Sequence, residues 1–268
     1  MLYRPLFWTA FWCEDWLSES SFRSGATNFL VSSASSKTAF CLAYLIGKRF
    51  KGNLSGKQAN IVGLTSRRNV AFTKNLGIYG QIVDYDSLST YLTSLRDSTT
   101  SWVYVDVAGN EDINTRIRSF FASSPSPKLS AQISLGLTNL NPATTSDTST
   151  WTQNTNLLQA TTQPSHIDST RLPDPEPFFM PEWLVLRKKQ LSVAQITTMQ
   201  LEAWRDLMRD CRAWVQLERV YGGDAVLEAY AQVAKSGVAP DKGLIWSMWD
   251  SQEEYQNATR TEAISPKL

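Results

Sequence analysis

Residues 28–39, Asn-Phe-Leu-Val-Ser-Ser-Ala-Ser-Ser-Lys-Thr-Ala, carry the densest chemical signal in the chain. An apolar run ends in five small residues, Ser32 to Ser36, and the pair Lys37-Thr38, then opens into a helical pattern through Phe50. That order predicts a strand, a tight turn and a helix whose N-terminus can receive a phosphate. First-turn N–H groups have no intrahelical partner, and the helix dipole adds partial positive charge at the same end. Lys37 would add a mobile cation. The usual fingerprint for this task is G-x-G-x-x-G; here Ser33, Ala34, Ser35 and Ser36 stand where glycines are expected, with Thr38 closing the turn. An ordinary buried βα unit with a polar turn explains the same residues, and both readings stay open on this segment alone.

A second cluster, Ser66-Arg67-Arg68, follows the apolar run Ala59 to Thr65. At the end of a second strand, NAD-specific proteins place an acid on the ribose hydroxyls. A hydroxyl and two guanidiniums suit a 2′-phosphate instead, because Arg makes charge-assisted bidentate bonds to such oxygens. A solvated helix start is the plain alternative, but cations there oppose the dipole, which favours a ligand. Lys37 fits a pyrophosphate contact or a surface position equally. Ser36-Lys37-Thr38 has the closing order of a P-loop, yet no glycine precedes Lys37 or stands at the Walker spacing. Tyr44 and Lys48 match Y-x-x-x-K spacing, but they fall in the first helix and read as core and surface. The single histidine, His166, sits in a polar stretch, and Cys13, Cys41 and Cys211 have no ligand spacing. Metal chemistry and a Ser-His-Asp triad therefore lack a basis, and no side chain declares itself a catalytic acid.

Around these clusters strand and helix patterns alternate. Strands are expected at Phe29 to Ala34, Ala59 to Thr65, Gln81 to Tyr85, Trp102 to Val107 and Leu129 to Leu137. Helices are expected at Thr38 to Phe50, after Ser66-Arg67-Arg68-Asn69 through Leu76 with Gly77 as its stop, at Ser87 to Leu95, and from Gly109-Asn110 through Phe121. Repeated βα units imply a doubly wound parallel sheet with right-handed crossovers, its ligand off the carboxyl ends of the strands where their order reverses. Residues 138–172 are rich in Thr, Ser, Asn and Gln without Lys or Arg until Arg171, and read as a flexible polar loop. Prolines then bracket Phe178-Phe179-Met180 as a short edge strand. A long helix from Val193 to Tyr221, a shorter one from Ala225 to Lys235 and a strand at Leu244 to Met248 complete the expected fold, ahead of a polar tail at 251–268.

The chain's 268 residues can bury a sizeable core, and 26 Lys+Arg against 25 Asp+Glu leave a net charge of +1. No basic field exists to recruit nucleic acid. Scattered thiols read as reduced and intracellular. Met1 to Leu17 is apolar and aromatic, but Glu14 and Asp15 interrupt it as a signal peptide, and no run reaches the length of a membrane span. The expectation is a soluble cytoplasmic protein with no membrane partner, whose sequons at Asn53 and Asn257 are chance matches.

Four stretches together carry a family resemblance: Tyr3-Arg4-Pro5-Leu6-Phe7 with Glu14-Asp15; Val31 to Ala39; Gly63-Leu64-Thr65-Ser66-Arg67-Arg68-Asn69-Val70; and Val105-Asp106-Val107-Ala108-Gly109-Asn110. The chain resembles domain-of-unknown-function family 2855, itself similar to medium-chain dehydrogenases of the quinone-oxidoreductase type. The resemblance implies a Rossmann-type domain at residues 25–137 holding NADP(H), with residues 173–250 completing the fold. It also implies that Ala108, Gly109 and Asn110 after the fourth strand, and Gly136 after the fifth, approach the cofactor's ribose and nicotinamide. Small residues there permit close backbone approach, although a plain strand-ending turn explains Gly109 as well. Such dehydrogenases carry a GroES-like catalytic half first. Residues 1–24 therefore read as a junction helix, with Trp8, Trp12 and Trp16 covering surface the absent half would bury. The expected function is an NADPH-binding, zinc-independent oxidoreductase-like protein acting on an unknown small molecule. The alternative is a non-catalytic nucleotide-binding or interaction protein, and a homodimer is left open.

Overall fold

A computed structural model describes residues 3–53, 58–96, 99–107, 109–123, 126–135 and 172–257. The chain divides into two compact units, Tyr3–Trp204 and Arg205–Leu268. In the first, β1 (Asn28–Val31), β2 (Asn60–Thr65), β3 (Gln81–Asp84), β4 (Ser101–Asp106), β5 (Lys128–Ser134) and β6 (Pro175–Pro177) form one sheet in the order β3-β2-β1-β4-β5-β6. Every neighbouring pair is parallel. Strand order reverses between β1 and β4, so the turns leaving these two strands flank one crevice.

Sequence explains why the strands are parallel and central. All four residues of β1, and Trp102 to Asp106 of β4, are buried, as strands covered by helices on both faces must be. On one face Leu30, Val62, Leu64 and Tyr104 pack with Leu88 and Leu92 of α4 (Leu88–Ser94) and Ile113, Ile117 and Phe121 of α5 (Glu111–Ser123). The other face takes α1 (Arg4–Glu19) and α2 (Lys37–Asn53). There Phe29 meets Phe50 and Phe22, with ring centroids 5.8 and 5.5 Å away. A single 3-10 turn, Arg67–Asn69, leads into the short α3 (Val70–Asn75), which Gly77 ends at φ +67°.

Helix α1 is tied down by charge as well as burial. Glu14 takes a bidentate bond from Arg49 of α2, both contacts 2.7 Å. Asp15 accepts Trp183 Nε1 at 2.8 Å and pairs with Arg187 at 2.9 Å, both from α6 (Met180–Gln190). The three tryptophans of α1 find partners inside this unit. Trp12 is fully buried, Trp8 stacks 5.9 Å from Trp204, and Trp16 lies against Phe178 and under the Arg23 guanidinium.

Several details depart from the sequence pattern. Ser21 to Ser24 all take positive φ, making a left-handed turn before Gly25. That conformation costs roughly 1–2 kcal/mol per residue. Burial of Phe22 and the bidentate Arg23–Glu176 bond, at 2.6 and 3.2 Å, offset it. The edge strand falls at Pro175–Pro177 rather than Phe178 to Met180, because Pro181 starts α6 in its first turn, and α6 itself is an unexpected helix. Helix α7 (Val193–Asp210) ends eleven residues short of Tyr221. The rest of that stretch turns at Cys211 to Trp214 and becomes β7 (Gln216–Tyr221). In the second unit β7 pairs in parallel with β8 (Lys242–Ser247) across α8 (Gly223–Ser236), and Glu218 meets Lys242 at 2.6 Å. Tertiary pairing overrides the helical periodicity of those six residues. Residues 138–171 and 258–268, including His166, lie outside the described residues.

Candidate functional site

The chain leaves β1 already bonded to β4, with the Ser32 N–H donating to Val105 O at 3.0 Å. Ser33 then takes φ +49°, the left-handed position a glycine would fill without strain. Its N–H donates to the Tyr85 hydroxyl at 3.0 Å. The Ala34 N–H donates to Leu64 O at 2.8 Å, and its carbonyl accepts the Tyr79 hydroxyl at 2.9 Å. Ala34 is wholly buried, facing β2 at Gly63, where an added Cβ would stand 2.8 Å from the Ala34 Cβ. Glycine is thus needed, but in the neighbouring strand rather than in the turn. Ser35 Oγ accepts from Asn69 Nδ2 at 3.0 Å and from Thr65 Oγ1 at 3.2 Å. Ser36 caps α2: its Oγ accepts the Ala39 N–H at 3.3 Å and its carbonyl the Phe40 N–H at 3.0 Å. Lys37 opens the helix, and Ser35, Ser36, Lys37 and Thr38 are half-buried.

Beyond β2, Ser66 is extended and Arg67 and Arg68 are exposed on the 3-10 turn. Arg67 reaches Asp86 at 3.3 Å, with side-chain exposures of 76% and 71%. Asp86 stands on the turn that ends β3. Asp84 organises that turn, accepting the N–H groups of Asp86 and Ser87 at 3.0 and 3.1 Å and the Ser87 hydroxyl at 2.9 Å. The Ser87 hydroxyl foremost, with those N–H groups and the Arg67 charge, holds the Asp84 carboxyl below its ordinary value.

At the end of β4 the buried Asp106 carboxylate accepts Ser32 Oγ at 3.0 Å and the Gly109 N–H at 2.9 Å on one oxygen, and Asn114 Nδ2 at 2.7 Å on the other. Ser32 Oγ in turn accepts the Val107 N–H at 2.8 Å. Tyr104 donates to Asn114 Oδ1 at 2.7 Å, and burial foremost pushes its phenol well above the usual range. Gly109 sits at φ +64°, and Asn110 caps α5 by accepting the Ile113 N–H at 3.1 Å. Ala108 and Gly136 lie outside the described residues.

The turns after β1 and β2 therefore form one bonded assembly at the carboxyl edge of the sheet, joined through Ser35, and the β4 end joins them through Ser32. Sequence reasoning missed Tyr79, Tyr85, Asp86 and Asp106. Only Gly63, a glycine inside a strand pattern, carried a recognisable signal of close backbone approach. The donors present fit a phosphate-bearing dinucleotide: small side chains at the turn, a capped helix N-terminus, and two exposed guanidiniums beyond β2. Two of those donors, the Ser33 N–H and Arg67, are already engaged by Tyr85 and Asp86. Among the described residues no group of three His, Cys, Asp or Glu is placed to hold a metal ion, and no helix is long and apolar enough to cross a membrane.

A known structure shares this architecture. A candidate NADPH:quinone reductase from Mesorhizobium loti superposes with a TM-score of 0.56 at 14% identity, covering 90% of this chain and 58% of its own. CurA from Vibrio vulnificus, solved with NADPH, gives a TM-score of 0.45 at 9% identity, with coverage of 89% and 61%. The CurK enoyl reductase gives a TM-score of 0.46 at 11% identity, with coverage of 89% and 60%. The first of these supports a Rossmann-like doubly wound fold, and the chain spans 58% of that protein's length. No curated protein matches the sequence. The family model for the protein of unknown function DUF2855 matches residues 1–239, and the chain belongs to that family.

Proposed function

We propose that the chain binds NADP(H) and is an oxidoreductase-like protein of the quinone-reductase type, zinc-independent, with an unidentified small-molecule substrate. One observation carries the reading. Ser35 ties the capped start of α2 to the turn bearing Arg67 and Arg68, so a helix N-terminus and two exposed cations serve one edge of the sheet. On this reading Ser33 to Thr38 receive the pyrophosphate, and Ser66, Arg67 and Arg68 the 2′-phosphate. Ala108, Gly109, Asn110 and Gly136 line the ribose and nicotinamide end. The cofactor would supply hydride, while the chain binds and orients it and excludes water. Residues 1–24 would be the junction to a catalytic half, and three buried free cysteines suit a reducing cytoplasmic setting.

The test is Arg67→Ala, titrated with NADPH and NADH. A charge-assisted bond contributes about 1.5–3 kcal/mol, so NADPH affinity should fall roughly tenfold to a hundredfold while NADH affinity holds. Equal loss for both would assign Arg67 to the fold instead. A second, non-catalytic reading is favoured by the spent state of the nearby ionisable groups, since Tyr79, Tyr104 and Asp106 are all committed to hydrogen bonds within the chain. NADPH binding without turnover against a quinone panel would select it.

A further inference from the structure

We infer that Asp86 is a specificity-determining residue, a carboxylate that competes with the cofactor's 2′-phosphate for Arg67 and lowers the preference for NADPH over NADH. The inference rests on the dinucleotide reading above. The turn Tyr85–Ser87 is fixed at both ends. Asp84 caps it through three hydrogen bonds. The Tyr85 hydroxyl anchors it to the Ser33 N–H at 3.0 Å. The turn therefore presents the Asp86 carboxylate to Arg67 at 3.3 Å, and each faces water, at 71% and 76% exposure.

A carboxylate and a phosphate monoester make the same kind of bond to a guanidinium. An arginine already paired with an internal carboxylate must surrender that partner before it can read an external phosphate. Because the pair is exposed, the competing contact is weak and readily displaced, so Asp86 tunes the affinity for a 2′-phosphate rather than blocking it. NADH, which has no 2′-phosphate, gains nothing from Arg67 and should be indifferent to Asp86.

The experiment is calorimetric titration of the full chain and of Asp86→Asn with NADPH and with NADH, repeated in the Arg67→Ala background. Asp86 is exposed and its carboxylate caps nothing, so the variant should fold. The inference expects about two- to fivefold tighter NADPH binding in Asp86→Asn. It also expects no change for NADH, and loss of the gain when Arg67 is absent. Wild-type binding too weak to detect, made measurable by Asp86→Asn, would support it equally. Unchanged NADPH affinity overturns it and leaves the dinucleotide reading intact. So does an equal gain for NADH, or a gain that persists without Arg67, since either reflects a general reduction of negative charge. Weaker NADH binding in Asp86→Asn also overturns it, by assigning the carboxylate to a ribose hydroxyl. No binding of either nucleotide to either protein overturns both.

Discussion

The Asp106 carboxylate accepts the Ser32 hydroxyl at 3.0 Å, across the point where the sheet reverses its strand order. That bond, together with the Val107 N–H donated to Ser32 Oγ at 2.8 Å, holds the turn leaving β1 and the turn leaving β4 as a single piece. Ser32 is both donor to Asp106 and acceptor from Val107, so neither group is left unsatisfied in the buried site. Burial without partners is what makes such groups costly.

Asp106→Ala would strand the Ser32 hydroxyl, the Gly109 N–H and the Asn114 amide together. A loss of about 3 kcal/mol is expected, since each buried unsatisfied group costs roughly 1–3 kcal/mol and local relaxation recovers part of the sum. Asp106→Asn keeps the shape and should lose about 1–2 kcal/mol. Urea unfolding measures both. A change under about 0.5 kcal/mol for the alanine variant would mean the network does not hold these two turns.

Two glycines should respond in opposite directions. Gly63→Ala places a methyl 2.8 Å from the Ala34 Cβ and 3.0 Å from Ile82 and Tyr79 carbons. The Ala34 Cβ cannot move without its backbone, so destabilisation of about 1–3 kcal/mol is expected. Gly47→Ala, within α2, meets only Ile61 Cδ1 at 3.9 Å. It should stabilise by about 0.5–1 kcal/mol through reduced backbone entropy in the unfolded chain. Thermal unfolding of the pair checks the packing of α2 and the β1 turn against β2.

Phenols shielded by packing, Tyr104 buried and Tyr79 and Tyr91 half-buried, set an alkaline limit. Burial pushes Tyr91 up to about 12, and it pushes Tyr79 and Tyr104 well above the usual range, with the Asp106 charge adding at Tyr104. Unfolded tyrosines lose their proton near pH 10 or so. These raised values therefore leave stability unaffected below that pH and erode it as pH climbs toward the folded-state value. Urea midpoints should hold up to about pH 10 and fall between about pH 10 and about pH 12, and phenolate absorbance from Tyr79 and Tyr104 should appear only as the chain unfolds. Ionisation near the ordinary value in a still-folded protein would contradict their placement.

The sheet was legible because parallel strands buried on both faces read as short apolar runs, as in Phe29-Leu30-Val31 and Trp102-Val103-Tyr104-Val105. Gly77 also marked a real helix end, at φ +67°. The misreadings came where distant residues decide local structure. Residues 216–221 continue a helical pattern, yet parallel pairing with β8 makes them a strand. The left-handed turn at Ser21 to Ser24 depends on Phe22 finding Phe29 and Phe50, and on Arg23 finding Glu176. At the candidate site the serine-rich turn was visible, but its supports were not. Tyr79, Tyr85 and Asp106 act across 45, 52 and 74 residues of sequence, and no local pattern announces such a contact.

The site at the start of α2 is tested most directly by titrating NADPH into the wild-type chain and into Ser35→Leu/Ser36→Leu, with folding of the double variant checked by circular dichroism and urea. Losing the Ser36 cap should cost about 1 kcal/mol, which a domain of this kind should survive. Bulky side chains at these half-buried positions would bar a pyrophosphate from the helix N-terminus. The expected result is measurable NADPH binding to the wild type and none to the folded double variant; unchanged affinity in that variant would contradict the phosphate site.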